Sequence, residues 1–375
     1  MKNKTPILIL TDWYYPAYKA GGPITSLFNL CHFLKDHFQF YILTSNQDLD
    51  GKTLKDIETN QWVEGSNKEQ IYYSSISLSK ITLNNAIQNS NSKIIYLNSL
   101  FSFDFTIKPL WWLRASKELQ IFLSPRGMLH QQAFSQKKVK KSIFLATIKK
   151  LSSFKKTTLI ASNGSELKEI QKHHLSNQTI ILPNIPKLHL LDENRKAVPQ
   201  KVLTVVSRIA PEKNSLFAIE CISKIKQNVT VNWIGDSIDA EFKEAFLKLI
   251  DKLPKNITFL FHGAQNASFI REALLTSKVF FLPTLGENFG HAIFEALATG
   301  TPAVIGQKTP FFEIESINAG FALDPKDINA NLNAISSLLG EFDSKWLRLS
   351  EAARGFAKES FDVEQCKKLY LAVWN

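Results

Sequence analysis

One segment of the chain constrains the fold more than any other. Residues 279–305 read VFFLPTLGENFGHAIFEALATGTPAVI and predict a strand, a glycine-bearing loop, a helix and a second strand. The apolar, β-branched and aromatic run Val279–Leu282 is typical of a strand buried on both faces, and Ala303–Ile305 is its natural parallel partner. Parallel neighbours need a crossover connection, which the intervening helix supplies. The segment therefore predicts an α/β chain with parallel sheets.

Two carboxylates lie eight positions apart in this segment, Glu287 in the loop and Glu295 in the helix. Eight helical residues rise about 12 Å, whereas the paired carboxyl groups of glycoside hydrolysis stand about 5–9.5 Å apart. The spacing favours contacts with opposite ends of an elongated ligand. The predicted helix starts at Asn288–Gly290, where free backbone N–H groups favour an anion or a polar ligand. From the residues alone, Glu295 could also be a surface residue of the helix, and Glu287 could be a partner of the dipole at its N-terminus.

The run Glu287–Pro302, ENFGHAIFEALATGTP, resembles the signature of Glu, seven residues and Glu in retaining family 4 glycosyltransferases of the GT-B architecture. The resemblance implies that Glu287 and the backbone N–H groups of the next residues hold the donor hexose. It implies that Glu295 holds the ribose of the sugar nucleotide. The residues that follow Glu287 are Asn288, Phe289 and Gly290, and Asn288 stands where the family usually has glycine.

The first βα unit of the chain carries a glycine pair. The predicted strand Ile7–Thr11 is followed by WYYPAYKAGGP and an amphipathic helix, so Gly21 and Gly22 lie at a helix N-terminus, where backbone N–H groups can cradle a phosphate. The GxGxxG order is missing, which disfavours a nicotinamide or flavin site. The family resemblance implies that this loop faces the donor phosphates across a cleft.

Further strands are predicted at Phe38–Ser45, Lys93–Leu97 and Gln120–Leu123, and the last ends in SPRGMLH. Ligands of a doubly wound sheet bind at the carboxyl ends of its strands, which makes Arg126 and His130 candidate catalytic residues. The family often has a His-Gly pair where Arg126-Gly127 stands. From the residues alone, Arg126 could equally pair with a local carboxylate and His130 could cap a helix.

A second basic pair follows the predicted strand Val202–Val206, in SRIAPEKN. Arg208 and Lys213 flank a strand-to-helix turn, where cations can hold a diphosphate. The Arg…Pro-Glu-Lys pattern is similar to the diphosphate site of the family. Positive charge there stabilises a departing nucleoside diphosphate, so we expect a metal-independent reaction without a cofactor, in which the nucleotide sugar is a substrate.

The positive charge is confined to one half of the chain. Residues 1–190 hold 24 Lys and Arg against 12 Asp and Glu, a net charge of +12, whereas residues 191–375 hold 21 against 22. No acid occurs between Glu118 and Glu166, where Lys137, Lys138, Lys140, Lys141, Lys149, Lys150, Lys155 and Lys156 crowd one segment. Such a segment suits an anionic membrane surface or a phosphate-bearing acceptor, with nucleic acid as a competing partner that we do not expect.

No apolar run approaches the roughly 20 residues that span a bilayer, and the N-terminal PILIL is too short for a signal-peptide core. The three cysteines show no metal or redox spacing, which fits a reducing compartment. We expect a cytoplasmic protein that is peripheral at the inner face of the membrane.

The resemblance implies the GT-B architecture, in which two Rossmann-like doubly wound domains face a cleft. We expect an acceptor domain at residues 1–190, a donor domain at 191–355, and a C-terminal helix at 356–375 that can cross back to the first domain. The implied activity moves a hexose-type sugar from a nucleotide sugar to a glycan or lipid-linked acceptor, in cell-surface polysaccharide biosynthesis. A sugar-nucleotide epimerase of the same fold and a non-enzymatic basic protein that binds membrane or nucleic acid remain alternatives. A polysaccharide phosphorylase would need a cofactor lysine that we cannot identify.

Overall fold

A computed structural model describes residues 4–129, 145, 154, 156–175, 178–192 and 200–375. The chain divides into two compact units. The first contains Met1–Ile185 together with Val363–Asn375, and the second contains Pro186–Asp362. The division falls after Ile185, whereas the sequence placed it after residue 190. The helix Val363–Trp374 therefore belongs with the first unit, and residues 356–362 belong with the second.

The first unit is built on an eight-stranded sheet in the order β3-β4-β2-β1-β5-β6-β7-β8. Its pairs are parallel except for the edge pair β3–β4, which is antiparallel. The strands are β1 Thr5–Leu10, β2 Phe38–Ser45, β3 Trp62–Glu64, β4 Gln70–Ser74, β5 Ile94–Leu97, β6 Gln120–Leu123, β7 Thr158–Ala161 and β8 Thr179–Ile181. The central strands β1 and β5 are almost entirely buried, as expected for strands covered on both faces.

The second unit is built on a six-stranded, wholly parallel sheet in the order β11-β10-β9-β12-β13-β14. The strands are β9 Val202–Val206, β10 Val229–Ile234, β11 Ile257–Gly263, β12 Val279–Leu282, β13 Ala303–Gly306 and β14 Gly320–Leu323. Strands β12 and β13 are parallel neighbours with Phe281 opposite Val304, which matches the unit predicted from residues 279–305. The order reverses between β9 and β12, and ligands of doubly wound sheets bind beside such a switch point.

The α-helices lie between the strands and follow the last strand. The described helices are Gly22–Leu34, Lys80–Ser90, Lys108–Trp112, Gly164–Lys172, Ser215–Ser223, Ala240–Ile250, Ala267–Leu275, His291–Ala298, Ile328–Gly340, Asp343–Glu359 and Val363–Trp374. A short π-helix at Phe103–Ile107 and 3-10 helices at Leu188–Asp192, Pro211–Lys213 and Phe312–Glu315 complete the regular structure. In the described parts of the chain, no helix is both long and apolar enough to span a bilayer.

The C-terminal helix is held to the first unit by aromatic side chains. Trp374 is buried and its ring lies 5.7 Å from the rings of both Phe38 and Tyr96. Tyr370 donates its hydroxyl hydrogen to the backbone oxygen of Pro183 at 3.0 Å. The helix Val363–Trp374 therefore forms part of the core of the first unit.

Candidate active site

The loop after β9 presents the two predicted diphosphate-binding cations. Arg208 follows the strand, and Lys213 closes the 3-10 turn Pro211–Lys213 immediately before the helix Ser215–Ser223. The Arg208 guanidinium is about two-fifths exposed and donates to Glu212 Oε1 at 3.0 Å. Arg208 thus presents a partly solvated cation at the switch point of the sheet.

The loop after β12 carries Glu287, and two hydrogen bonds tie it to the loop after β9. The backbone oxygen of Glu212 accepts from the Leu285 N–H at 3.1 Å and from the Thr284 hydroxyl at 3.2 Å. Lys213 Nζ lies 2.5 Å from Glu287 Oε1, with the two side chains 20% and 11% exposed. The predicted diphosphate cation and the predicted hexose carboxylate therefore form an ion pair with each other.

Glu295 forms a different ion pair. Its Oε1 lies 2.7 Å from Lys187 Nζ, and the two side chains are 7% and 12% exposed. Lys187 precedes the 3-10 helix Leu188–Asp192 and did not figure among the predicted site residues. The two acids of the motif thus contact separate lysines, as expected for carboxylates at opposite ends of a ligand. No local pattern in the sequence pointed to Lys187, because the burial of Glu295 that calls for a nearby cation is a property of the fold.

The start of the helix His291–Ala298 has an open N-terminus. Its N-cap is Gly290, which adopts a left-handed φ of 83°, and no side chain caps the helix. Asn288 is not among the residues with positive φ, so this position does not require the glycine that the family usually has. Behind the loop, the Phe289 ring packs 6.0 Å from the buried ring of Phe311. The aromatic contact supports the loop, and a helix N-terminus that lacks a side-chain cap suits an anion or a polar ligand.

In the first unit, Gly21 is the N-cap of the helix Gly22–Leu34 and has a φ of 68°. A Cβ at Gly21 would meet no atom within 4 Å, so the backbone conformation, and not space, calls for glycine. The preceding loop is anchored by Asp48, whose carboxylate accepts from the backbone N–H groups of Tyr18 and Lys19. The glycine pair therefore lies on a loop that is held in place near the carboxyl end of β1.

Arg126 lies at the carboxyl end of β6, with a left-handed φ of 55°. Its guanidinium donates to the side-chain oxygens of Asn98 and Asn184 and to the Tyr96 hydroxyl. Burial raises the pKa of Tyr96, so the phenol stays neutral and can accept this bond. Among the described residues, the side-chain partners of Arg126 are these neutral groups and not the carboxylate considered from the sequence, so Arg126 joins the ends of three strands. His130 lies outside the described residues, as do the lysines between 137 and 155.

An acid that the sequence reading did not select lies near the glycine loop. Asp12 follows β1 and accepts a hydrogen bond from the Ser102 hydroxyl at 2.7 Å. Burial raises the pKa of its carboxyl group, the Ser102 bond opposes the rise, and the nearby charge of Asp104 adds to it. Its position directly after a buried first strand was the available signal, since functional side chains of such sheets follow the strand ends.

Part of the second unit resembles a known protein family. Residues 189–356, which contain both loops of the second unit, match the family described as glycosyl transferases group 1. The similarity to that family covers this segment of the chain. The match gives the Glu287 and Glu295 motif the domain context that the sequence resemblance implied.

A galactosyltransferase of Escherichia coli, named UDP-Gal:alpha-D-GlcNAc-diphosphoundecaprenol alpha-1,3-galactosyltransferase, is 30% identical over 183 residues. The alignment covers 45% of this chain and 45% of that protein. The alignments with curated relatives span between 30% and 45% of those relatives' own length.

Two solved structures share the fold over nearly the whole chain. Sucrose-phosphate synthase of Thermosynechococcus elongatus superposes with a TM-score of 0.74 at 18% identity, over 99% of both chains. HepE of Anabaena, solved with UDP and glucose, gives a TM-score of 0.72 at 17% identity, over 98% of this chain and 99% of that one. The chain therefore has the GT-B fold of glycosyltransferases.

The second unit brings two cations and two carboxylates to the carboxyl side of its sheet. Lysine and arginine beside a helix N-terminus can bind a diphosphate, and ionised carboxylates accept hydrogen bonds from sugar hydroxyls. Among the described residues, no group of three or more His, Cys, Asp or Glu side chains is arranged to hold a metal ion. The arrangement can bind an elongated ligand that is anionic in one part and rich in hydroxyls in others.

Proposed function

We propose that this protein is a retaining glycosyltransferase that moves a hexose-type sugar from a nucleotide-sugar donor to a glycan or lipid-linked acceptor. The observation that carries the proposal is the Lys213–Glu287 ion pair, which joins the loops after β9 and β12 at the switch point of a group 1 domain. An ammonium group suits a phosphate and a carboxylate suits sugar hydroxyls, and the two lie side by side, which supports binding of the junction between sugar and diphosphate.

In the proposed reaction, the bond between the sugar and the donor diphosphate breaks and the acceptor hydroxyl oxygen attaches to the same face of the sugar. Arg208, Lys213 and the N-terminus of His291–Ala298 stabilise the negative charge that develops on the leaving diphosphate. The leaving phosphate accepts the proton of the acceptor hydroxyl. We propose that these groups supply the positive charge without a metal ion, and that Glu287 orients the hexose.

The acceptor chemistry is proposed from two supports. The galactosyltransferase relative is named for a lipid diphosphate acceptor. In the first unit, the exposed rings of Phe103 and Trp111 each lie beside a cation, Lys108 at 5.3 Å and Arg114 at 4.2 Å. Lys108 also pairs with Asp104 at 2.6 Å, so Arg114 is the residue of these two that adds net positive charge, and exposed aromatic side chains beside such a charge suit the interface of an anionic membrane. We propose peripheral docking there, in the assembly of a cell-surface polysaccharide.

The test of the transfer reaction is the Glu287→Ala variant. Incubation of wild type with UDP-sugars and short glycan or lipid-linked acceptors should give a glycosylated product and UDP, and the variant should lose turnover while its fold stays intact. Near-normal turnover in the variant would remove Glu287 from the reaction. Conversion of the donor sugar without any acceptor would instead support the epimerase.

Docking is tested separately by sedimentation with neutral and anionic vesicles. Wild type should sediment with anionic vesicles at low salt and be released as salt screens the charge. A variant with Lys137, Lys138, Lys140 and Lys141 changed to Gln, and a second with Phe103 and Trp111 changed to Ser, should each bind less. Wild type that ignores anionic vesicles would point to an acceptor free in solution.

A further inference from the structure

The Lys187–Glu295 ion pair is not used by the diphosphate and hexose contacts proposed above. Lys187 lies just before residue 189, where the family match begins, so the match assigns it no role. Its backbone is fixed, because its carbonyl oxygen accepts from the Leu190 N–H at 3.1 Å and Leu190 is buried. The 3-10 helix Leu188–Asp192 packs against the helices His291–Ala298 and Asp343–Glu359. The lysine is therefore presented to Glu295 from a fixed support.

The pair has a chemical consequence for Glu295. The Lys187 ammonium group 2.7 Å away fixes the direction of the carboxylate, whose oxygens accept hydrogen bonds. The Lys187 contact falls on Oε1, and a carboxylate has about four lone-pair sites. The ion pair therefore leaves Oε2 able to accept further hydrogen bonds. Because Lys187 holds Oε1 in place, the direction of Oε2 is set as well.

We propose that Lys187 is a positioning residue for ribose recognition. It holds the Glu295 carboxylate oriented so that the carboxylate accepts hydrogen bonds from the ribose hydroxyls of the donor nucleotide. This inference rests on the proposed function, which supplies the nucleotide. A lysine that merely competed with the ribose for Glu295 would act in the opposite direction, since its removal would tighten nucleotide binding.

The experiment measures discrimination between ribose and a sugar without the two hydroxyls. Calorimetry gives the affinities of wild type for UDP and for 2′,3′-dideoxy-UDP, and for the two adenine counterparts. A charge-assisted hydrogen bond predicts that wild type prefers the ribose form by about ten- to a hundredfold. Lys187→Met should narrow this ratio to within about threefold and leave the affinity for the dideoxy form unchanged, because only the ribose contact is lost. Lys187→Arg, which can keep the ion pair, should retain the preference.

Two further variants separate positioning from other roles. Lys345→Met breaks the Lys345–Glu341 pair, which also lies in the second unit and is more exposed, and should keep the wild-type ratio. Glu295→Gln should lose the preference, and adding Lys187→Met to it should lower the ratio no further, because residues that act through one contact are not additive. Lys187→Gln serves as the second substitution if the Met variant does not fold.

Three results would overturn the inference alone: a wild-type ratio in Lys187→Met, an equal loss of affinity for both nucleotide forms, or tighter UDP binding. Wild type that binds no nucleoside diphosphate, with UDP, ADP, GDP and CDP as the probes, would overturn the proposed function, and this inference with it. The two failures are therefore distinguishable.

Discussion

The Lys213–Glu287 ion pair predicts an unusual effect of neutralising Glu287. Glu287→Gln keeps the shape of the side chain and removes its charge. In the proposed site, the carboxylate repels the diphosphate of UDP and draws on the positive charge of Lys213. UDP carries no hexose, so it gains nothing from the contact that Glu287 offers. We therefore expect Glu287→Gln to bind UDP more tightly than wild type while sugar transfer falls.

The size of the effect follows from the burial of the pair. Exposed ion pairs contribute about 0.2–1 kcal/mol, and this pair, with side chains 20% and 11% exposed, is less solvated than those. Loss of the competing charge should stabilise the UDP complex by about 1 kcal/mol, which corresponds to about fivefold in affinity. Added salt should reduce this gain in UDP affinity. Part of the gain is electrostatic attraction between Lys213 and the diphosphate, and salt screens that attraction.

Calorimetric titration with UDP at low ionic strength measures the change. Glu341→Gln is the matched control, because Glu341 pairs with Lys345 at 2.7 Å and its side chain is 12% exposed, close to that of Glu287. The control should bind UDP as wild type does. Unchanged or weaker UDP binding by Glu287→Gln would show that the Lys213–Glu287 ion pair does not lie beside the diphosphate, and would refute this prediction.

Three other predictions concern binding, stability and pH. Arg208→Met and Lys213→Met should each weaken nucleoside diphosphate binding by about 1.5–3 kcal/mol in calorimetry, and unchanged affinity in both would reduce them to surface charges. Glu166→Ala should lower the free energy of unfolding in urea by at least about 2 kcal/mol, because this fully buried carboxylate accepts three hydrogen bonds; a loss below about 0.5 kcal/mol would contradict it. Burial raises the pKa of the Cys31 thiol, and it raises the pKa of the Cys221 thiol to about 12. As pH rises, the unfolded chain therefore loses these two protons at a lower pH than the folded chain does. Stability should therefore fall above about pH 9, and neither native thiol should react with a disulfide reagent at pH 8; rapid labelling would refute this.

The sheet predicted from the sequence agrees with the structure where strands are strongly apolar and differs at the edges. β9 and β12 have the predicted bounds, and β1 begins two residues earlier than expected. The short strands Trp62–Glu64, Gln70–Ser74 and Gly320–Leu323 were not predicted. They lie at or next to sheet edges. A strand at an edge packs against fewer apolar neighbours, so its sequence does not need a continuous apolar run.

By itself, the sequence determined the α/β class, the loop-and-helix unit of residues 279–305 and the two acids that it carries. Local chemistry suffices for these features, because periodicity and glycine positions act over a few residues. Only the tertiary structure decided which cation each acid meets. Lys213 and Glu287 are 74 positions apart, and they meet because β9 and β12 are adjacent although two other strands separate them in the chain. Lys187 reaches Glu295 because the segment after Ile185 packs on the helix His291–Ala298, and such long-range packing leaves no local pattern in the sequence.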